Sequence, residues 1–319
     1  MGARNHHFVP QYYLKGFAKP RSKDGKLTVF DIKDRKYFVT RPRNVAARRD
    51  YNRIEIDGVD PNAIEKQYSI FEGLADQAFR RIIESRSIKN MDDFSFVLAL
   101  LGLVSINNPS FRAERDKIVA QMGSSILRNL VSSPERWEAI SAAAGAKHDD
   151  AVTYEAARKA VINGDIVVTT VQDALIRQEI ELWPEMSRIL HIRKWTLLVA
   201  PKNSGGFVTS DRPFSLRWND QREPSNFHGP GLGSANTTLI FPLNRDLAVI
   251  GRFEEGGGVR EVNEHSVGAI NYTLFQSAIR QLYTTVDFPI LDIDRAVRPF
   301  SESKIWHFVR ERPVKPDEA

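Results

Sequence analysis

At about residue 194 the hydrophobic pattern of this chain changes period. That change constrains the fold more than any other feature. Before it, apolar residues recur at helical spacing; after it they run or alternate as in strands. A chain built this way packs segregated helices against an antiparallel sheet, so the expected class is α+β. The expectation is an N-terminal hairpin, a central helical bundle and a C-terminal, mostly antiparallel sheet. Residues 1–312 are expected to form one intimately packed domain, with parts at 5–59, 60–192 and 193–312. Residues 313–319 read as a polar tail.

Residues 26–40 read as a hairpin: Leu27–Ile32 is β-rich, Lys33-Asp34-Arg35 turns, and Lys36–Thr40 returns. Residues 60–86 read as a helix, with Asp60 as N-cap and Pro61 at the first helical position. Ile64, Tyr68, Phe71, Ala75, Ala78 and Ile82 form its apolar stripe. A helix at 92–107 is apolar on most sides and belongs at the centre; Asn107-Asn108-Pro109 ends it. Helices follow at 110–131, from Ser133-Pro134, at 153–163 and at 170–191. Thr170 is the expected cap of the last, and Pro184 is expected to kink or split it. Residues 142–152 read as a loop. Strands are expected at Lys194–Ala200, Phe207–Asp211, Phe214–Trp218, 237–242 and 247–253. A Gly256-Gly257-Gly258 turn, a helix near 264–281 and an edge strand at 303–311 complete the chain. The aperiodic stretch 219–236 is a long loop of the kind that is often functional.

Cysteine is absent. That excludes disulfides, thiolate metal sites and a cysteine nucleophile, and it fits a cytoplasmic protein. The longest apolar run, Phe94–Ile106, is broken by Ser95, Gly102 and Ser105 and falls short of the roughly 18 residues a membrane span needs. Net charge is +5. Arginines cluster at Arg41, Arg43, Arg48 and Arg49, at Arg80-Arg81, and near Arg310 and Arg312. Such clusters suit phosphate groups of nucleic acid or nucleotide; the plainer reading is a solvated face balanced by nearby acids.

The run Asn5–Phe17 holds His6, His7, Phe8, Tyr12, Tyr13 and Phe17. Termini fray unless something ties them down, so a stretch this aromatic is expected to be packed, with both histidines held in place. Imidazole serves as general acid, base or metal ligand. Adjacent residues in an extended segment point to opposite sides, so one histidine would face a site while the other packs. Glu65 and Glu72 are seven residues apart, within about 20° of each other on the helix, at the edge of its apolar stripe. Thr209-Ser210-Asp211-Arg212-Pro213 ends a hydrophobic strand, where a carboxylate either serves a site or closes an Asx-turn. No phosphate-binding Gly-x-x-x-x-Gly-Lys, no Gly-x-Gly-x-x-Gly after a strand and no His-Glu-x-x-His is present. His148, His191, His228, His265 and His307 are isolated.

Several of these pieces together resemble the microbial domain of unknown function 4238 family. They are the opening His6-His7-Phe8-Val9-Pro10 with Tyr13-Leu14 and Phe17, Asn108-Pro109 with Arg112, Thr209-Ser210-Asp211-Arg212-Pro213, and Phe241-Pro242-Leu243. The resemblance covers about 5–283 and implies no particular activity. Family members often carry an arginine just before the Asn-Pro pair, where this chain has Ile106-Asn107-Asn108.

Two functions follow as expectations. The first is a hydrolase acting on phosphodiesters, nuclease-like, in the manner of a toxin or phage-defence effector of a bacterial cytoplasm. His6, His7, Glu65 and Asp211 would be catalytic, Arg41, Arg43, Arg48 and Arg49 would bind phosphate, and the histidine-carboxylate set would either hold a divalent metal that activates water or work without metal as base and orienter. The second is a non-catalytic module that binds nucleotide, peptide or nucleic acid in a cleft lined by Tyr12, Tyr13 and Trp195, or a structural partner in a multi-protein system.

Overall fold

The computed structural model describes residues 5–143, 153–220 and 229–311. Of the loop expected at 142–152, residues 142 and 143 end helix Pro134–Ala143, and the rest, with the centre of the 219–236 loop, His148, His228 and the polar tail, lies outside the described residues. The chain divides into two compact units. One takes in the residues up to Asn108 and from Gln178 onward; the other is Pro109–Arg177.

The class is α+β, as the change of period requires. In the larger unit the hairpin forms as expected, Leu27–Asp31 pairing antiparallel with Lys36–Thr40. The Asp34 N–H closes its turn on the Asp31 carboxylate at 2.8 Å. Two further strands join it, giving the order Lys36–Thr40, Leu27–Asp31, Gln281–Thr284, Thr209–Ser210. A second sheet runs Val259–Glu261, Lys194–Val199, Leu247–Arg252, Thr237–Pro242, Ser215–Trp218, and only its first pairing is parallel. Gly251 faces Trp195 across this sheet because a Cβ there would stand 2.7 Å from the indole ring.

Helix Ala63–Ser85 buries Tyr68, Ala75, Ala78 and Ile82 of the expected stripe, with Phe79 added, while Ile64 and Phe71 are half-buried. Helix Met91–Ile106 is the central one, buried on most sides, and Asn90 caps it by accepting the N–H groups of Asp92 and Asp93. The terminal aromatics are packed as the sequence requires. Tyr12 lies edge-on to Phe79 of the long helix, and Tyr13 stacks on Phe241 of the second sheet with centroids 5.3 Å apart. Each such side chain contributes about 1.5–3 kcal/mol when fully buried.

The smaller unit holds helices Pro109–Leu130, Pro134–Ala143 and Tyr154–Asn163, the last capped by the Thr153 hydroxyl. Gly123 leaves room for Val168, whose side chain would stand 2.6 Å from a Cβ at that position.

Local expectations fail where long-range contacts decide. Asp60 does not cap the long helix; it closes an Asx-turn on Asn62, and the helix begins at Ala63. Thr170 does not cap the next-to-last long helix, which begins at Gln172; its N–H goes to Asp116 at 2.8 Å. That helix continues through Pro184 to His191 without being split. The segment expected as an edge strand is helix Lys304–Glu311. Ser303 caps it, its Oγ accepting the Trp306 N–H at 3.0 Å, and it sinks Ile305 and Trp306 into the aromatic cluster of Phe30, Phe288 and Phe300. Of Phe207–Asp211 only Thr209–Ser210 pairs as strand.

Candidate functional site

Asn5–His7 pairs antiparallel with Ala47–Arg49, so His6 faces Arg48 and His7 faces Ala47. Residues 6 and 7 then diverge as extended neighbours do. His6 is fully buried, while His7 is half-buried. The Nδ1 of His6 accepts the Asn52 backbone N–H at 2.8 Å. The Asn52 side chain donates to Glu65 Oε2 at 3.0 Å, and that oxygen lies 4.0 Å from His6 Nδ1. The structure therefore brings His6 and Glu65 together through Asn52, a residue that no sequence pattern marks. His7 Nδ1 is 3.4 Å from the Gln11 amide. Burial lowers its pKa, and nearby backbone groups of Arg43 and Pro42 oppose that.

Further along the same helix face stand Glu72 and Asp76. Burial, reinforced by the charge of Glu65 and opposed by Lys15, pushes the Glu72 carboxyl up to about 7. The Tyr12 hydroxyl is buried without a hydrogen-bond partner among the described residues. Burial first, then Glu72 and Asp76, raise its pKa well above 10. Beside this row opens a cleft of about 670 Å³ lined by Tyr12, Tyr13, Lys15, Asp76, Phe79 and Arg80, among others. The expected cleft of Tyr12, Tyr13 and Trp195 is therefore two places. Trp195 packs edge-on to Phe94 and lines a different hollow with His191 and Arg193.

Asp211 is engaged elsewhere. Its carboxylate accepts the backbone N–H groups of Ile279, Arg280 and Gln281 at 3.0, 2.9 and 3.2 Å. Burial raises its pKa to about 6 against the pull of these donors. Among the described residues it shares no hydrogen bond with either histidine or with Glu65. Arg280 ties it to the hairpin, since its guanidinium holds the buried Asp31 at 2.9 Å. Sequence could not reveal this role, because the three amides lie about 70 residues away.

Arg41, Arg43, Arg48 and Arg49 are all exposed. Arg49 pairs with its neighbour Asp50 at 3.3 Å. Arg41 and Arg43 line a hollow of about 360 Å³ with Lys26, Val39, Thr40 and Asn44. Among the described residues no carboxylate lines it and none pairs with Lys26, Arg41 or Arg43. Lys26 is the contributor that a search for arginine clusters misses; the hairpin register places it there, and that register is legible in the sequence. Next to the hollow the backbone is strained: Ala46 and Asp50 adopt φ of 50° and 54°. Such conformations persist where surrounding structure imposes them. Here Ala46 is buried and its carbonyl accepts the Phe8 N–H at 2.9 Å.

No single helix among the described residues is long and apolar enough to cross a membrane. The family model described as "Protein of unknown function (DUF4238)" matches residues 5–287. No curated protein and no solved structure matches the chain.

Proposed function

The chain belongs to the DUF4238 family, and from its geometry we propose that it is a module that binds the phosphate backbone of nucleic acid without cleaving it. The carrying observation is the hollow of Lys26, Arg41 and Arg43, which gathers three cations and no carboxylate. Charge clusters on ordinary solvated faces are interleaved with acids, and this one is not. Arg48 and Arg49 are exposed on the strand paired with Asn5–His7, and of these two Arg49 is engaged by Asp50. Contacts of this kind fix position on a polyanion and carry no sequence information. The test is fluorescence anisotropy of labelled oligonucleotides over a salt series. Binding that weakens with salt, and is weaker with a flatter salt dependence in Arg41→Glu/Arg43→Glu, supports the reading. Binding unchanged by that double reversal overturns it.

A second reading, phosphodiester hydrolysis, is favoured by Glu72. A carboxyl that burial raises to about 7 can take up or release a proton near neutral pH, as a general acid or base must. Glu72 would take the proton from an attacking water, with Glu65 held by Asn52 nearby. His6, fully buried and engaged at Nδ1, would position Glu65 without meeting substrate. Among the described residues no group of three or more His, Asp and Glu is placed to hold a metal ion, so this reading takes the metal-free alternative. Such an enzyme would act as a nuclease of toxin or phage-defence type in a bacterial cytoplasm. Cleavage of a labelled oligonucleotide that Glu72→Gln abolishes would favour it. Intact substrate after long incubation with the parent protein would dismiss it.

A further inference from the structure

Lys36–Thr40 is the open edge of the four-stranded sheet. It carries Tyr37 at 64% and Val39 at 59% exposure. Soluble proteins usually blunt such an edge, and an apolar one left open calls for a partner. Alternation sets Tyr37, Val39 and Arg41 on one face, because the backbone stays extended through Arg41 at φ −110°, ψ 154°. Tyr37 stands opposite Phe30 and Val39 opposite Thr28, so Lys26, two residues before Thr28, falls on the same face beside Arg41. Phe30 braces the Tyr37 ring from the sheet side, with centroids 5.8 Å apart, and is itself packed edge-on by Phe288, Phe300 and Trp306. The ring is thus backed by the core and open to solvent. From Tyr37 to Arg41 is four strand residues, about 13 Å, a span within one short oligonucleotide.

An unpaired base offers a free π-face; a base stacked in a duplex does not. An exposed ring beside cations therefore selects single strands. We propose that this face binds single-stranded nucleic acid, with Tyr37 stacking a base and Lys26, Arg41 and Arg43 holding the flanking phosphates. The proposal rests on reading the basic hollow as a polyanion site and adds the strandedness of its ligand.

The experiment compares an oligo-dT 20-mer, a mixed-sequence 20-base-pair duplex and a poly-glutamate peptide on the full chain, by anisotropy at low salt. Tyr37→Ala should weaken oligo-dT binding about 5- to 150-fold while leaving duplex affinity and the oligo-dT salt slope unchanged. Tyr37→Phe, which keeps the ring, should bind like the parent. Equal weakening for oligo-dT and duplex, or no weakening in Tyr37→Ala, overturns the stacking role. In that case sensitivity to Arg41→Glu/Arg43→Glu leaves the basic-face reading standing. Absence of nucleic-acid binding at low salt defeats both. Poly-glutamate bound in preference to either oligonucleotide overturns the proposal in favour of a peptide that adds to the sheet edge.

Discussion

The Tyr13 hydroxyl stands 2.7 Å from Thr209 Oγ1 and donates to the Pro242 carbonyl at 2.8 Å. Tyr13 has one proton, and the carbonyl takes it, so Thr209 must donate to Tyr13. This one phenol joins three stretches that are remote in sequence: the His-His opening, the Thr-Ser-Asp strand and the Phe-Pro-Leu strand. They share a buried node. Tyr13 is 1% exposed and Thr209 is fully buried.

Tyr13→Phe removes the hydroxyl and leaves the Pro242 carbonyl and the Thr209 hydroxyl buried without it. A decrease of about 1–3 kcal/mol in urea-denaturation stability is expected, with nucleic-acid affinity unchanged. An unaltered midpoint would show that the node is not a stability element.

Asp211→Ala leaves three backbone N–H groups unpartnered where Ser277 gives way to Gln281–Thr284. Its expected cost is about 2–5 kcal/mol, more than that of Asp211→Asn, which keeps one acceptor oxygen. A soluble, fully stable Asp211→Ala would contradict the structural role and make the residue a candidate reactive group again.

Glu72 and Asp211 hold protons at about pH 7 and 6, above the ordinary 4.5 and 3.8. Between about pH 4 and 7 the folded chain therefore binds more protons than the unfolded one. This contribution to stability is complete below pH 4 and disappears as pH rises through the folded values. Glu72→Gln, neutral throughout, should flatten the decline between pH 4.5 and 7 and exceed the parent by on the order of 1–3 kcal/mol at pH 8. A variant with the parent's pH profile of Tm would contradict the raised carboxyl.

The parts of the fold legible in the sequence are those decided by local pattern. The 27–40 hairpin carries its turn residues and β-rich strands, the helix at 63–85 carries its stripe, and the helix at 91–106 carries its all-round apolarity. The parts missed are decided by distant partners. Gln281–Thr284 is a strand because Leu27–Asp31 and Thr209–Ser210 present edges on either side of it. The turn at Lys304 is helical because Phe30 and its neighbours receive Trp306. The site follows the same division. His6, Glu65 and the arginines are legible by residue type, but Asn52, which links the first two, and the backbone amides that occupy Asp211 are tertiary facts. Lys26 joins the basic hollow only through the hairpin register.

The central claim is that Lys26, Arg41 and Arg43 hold phosphates. The slope of log Kobs against log salt for a labelled oligonucleotide tests it most directly. For the parent chain the slope should be negative, and reversing Arg41 and Arg43 together should flatten it by about 1.4 on single strands, about 0.7 for each phosphate no longer neutralised. An unchanged slope, with affinity intact in the double variant, would contradict the claim.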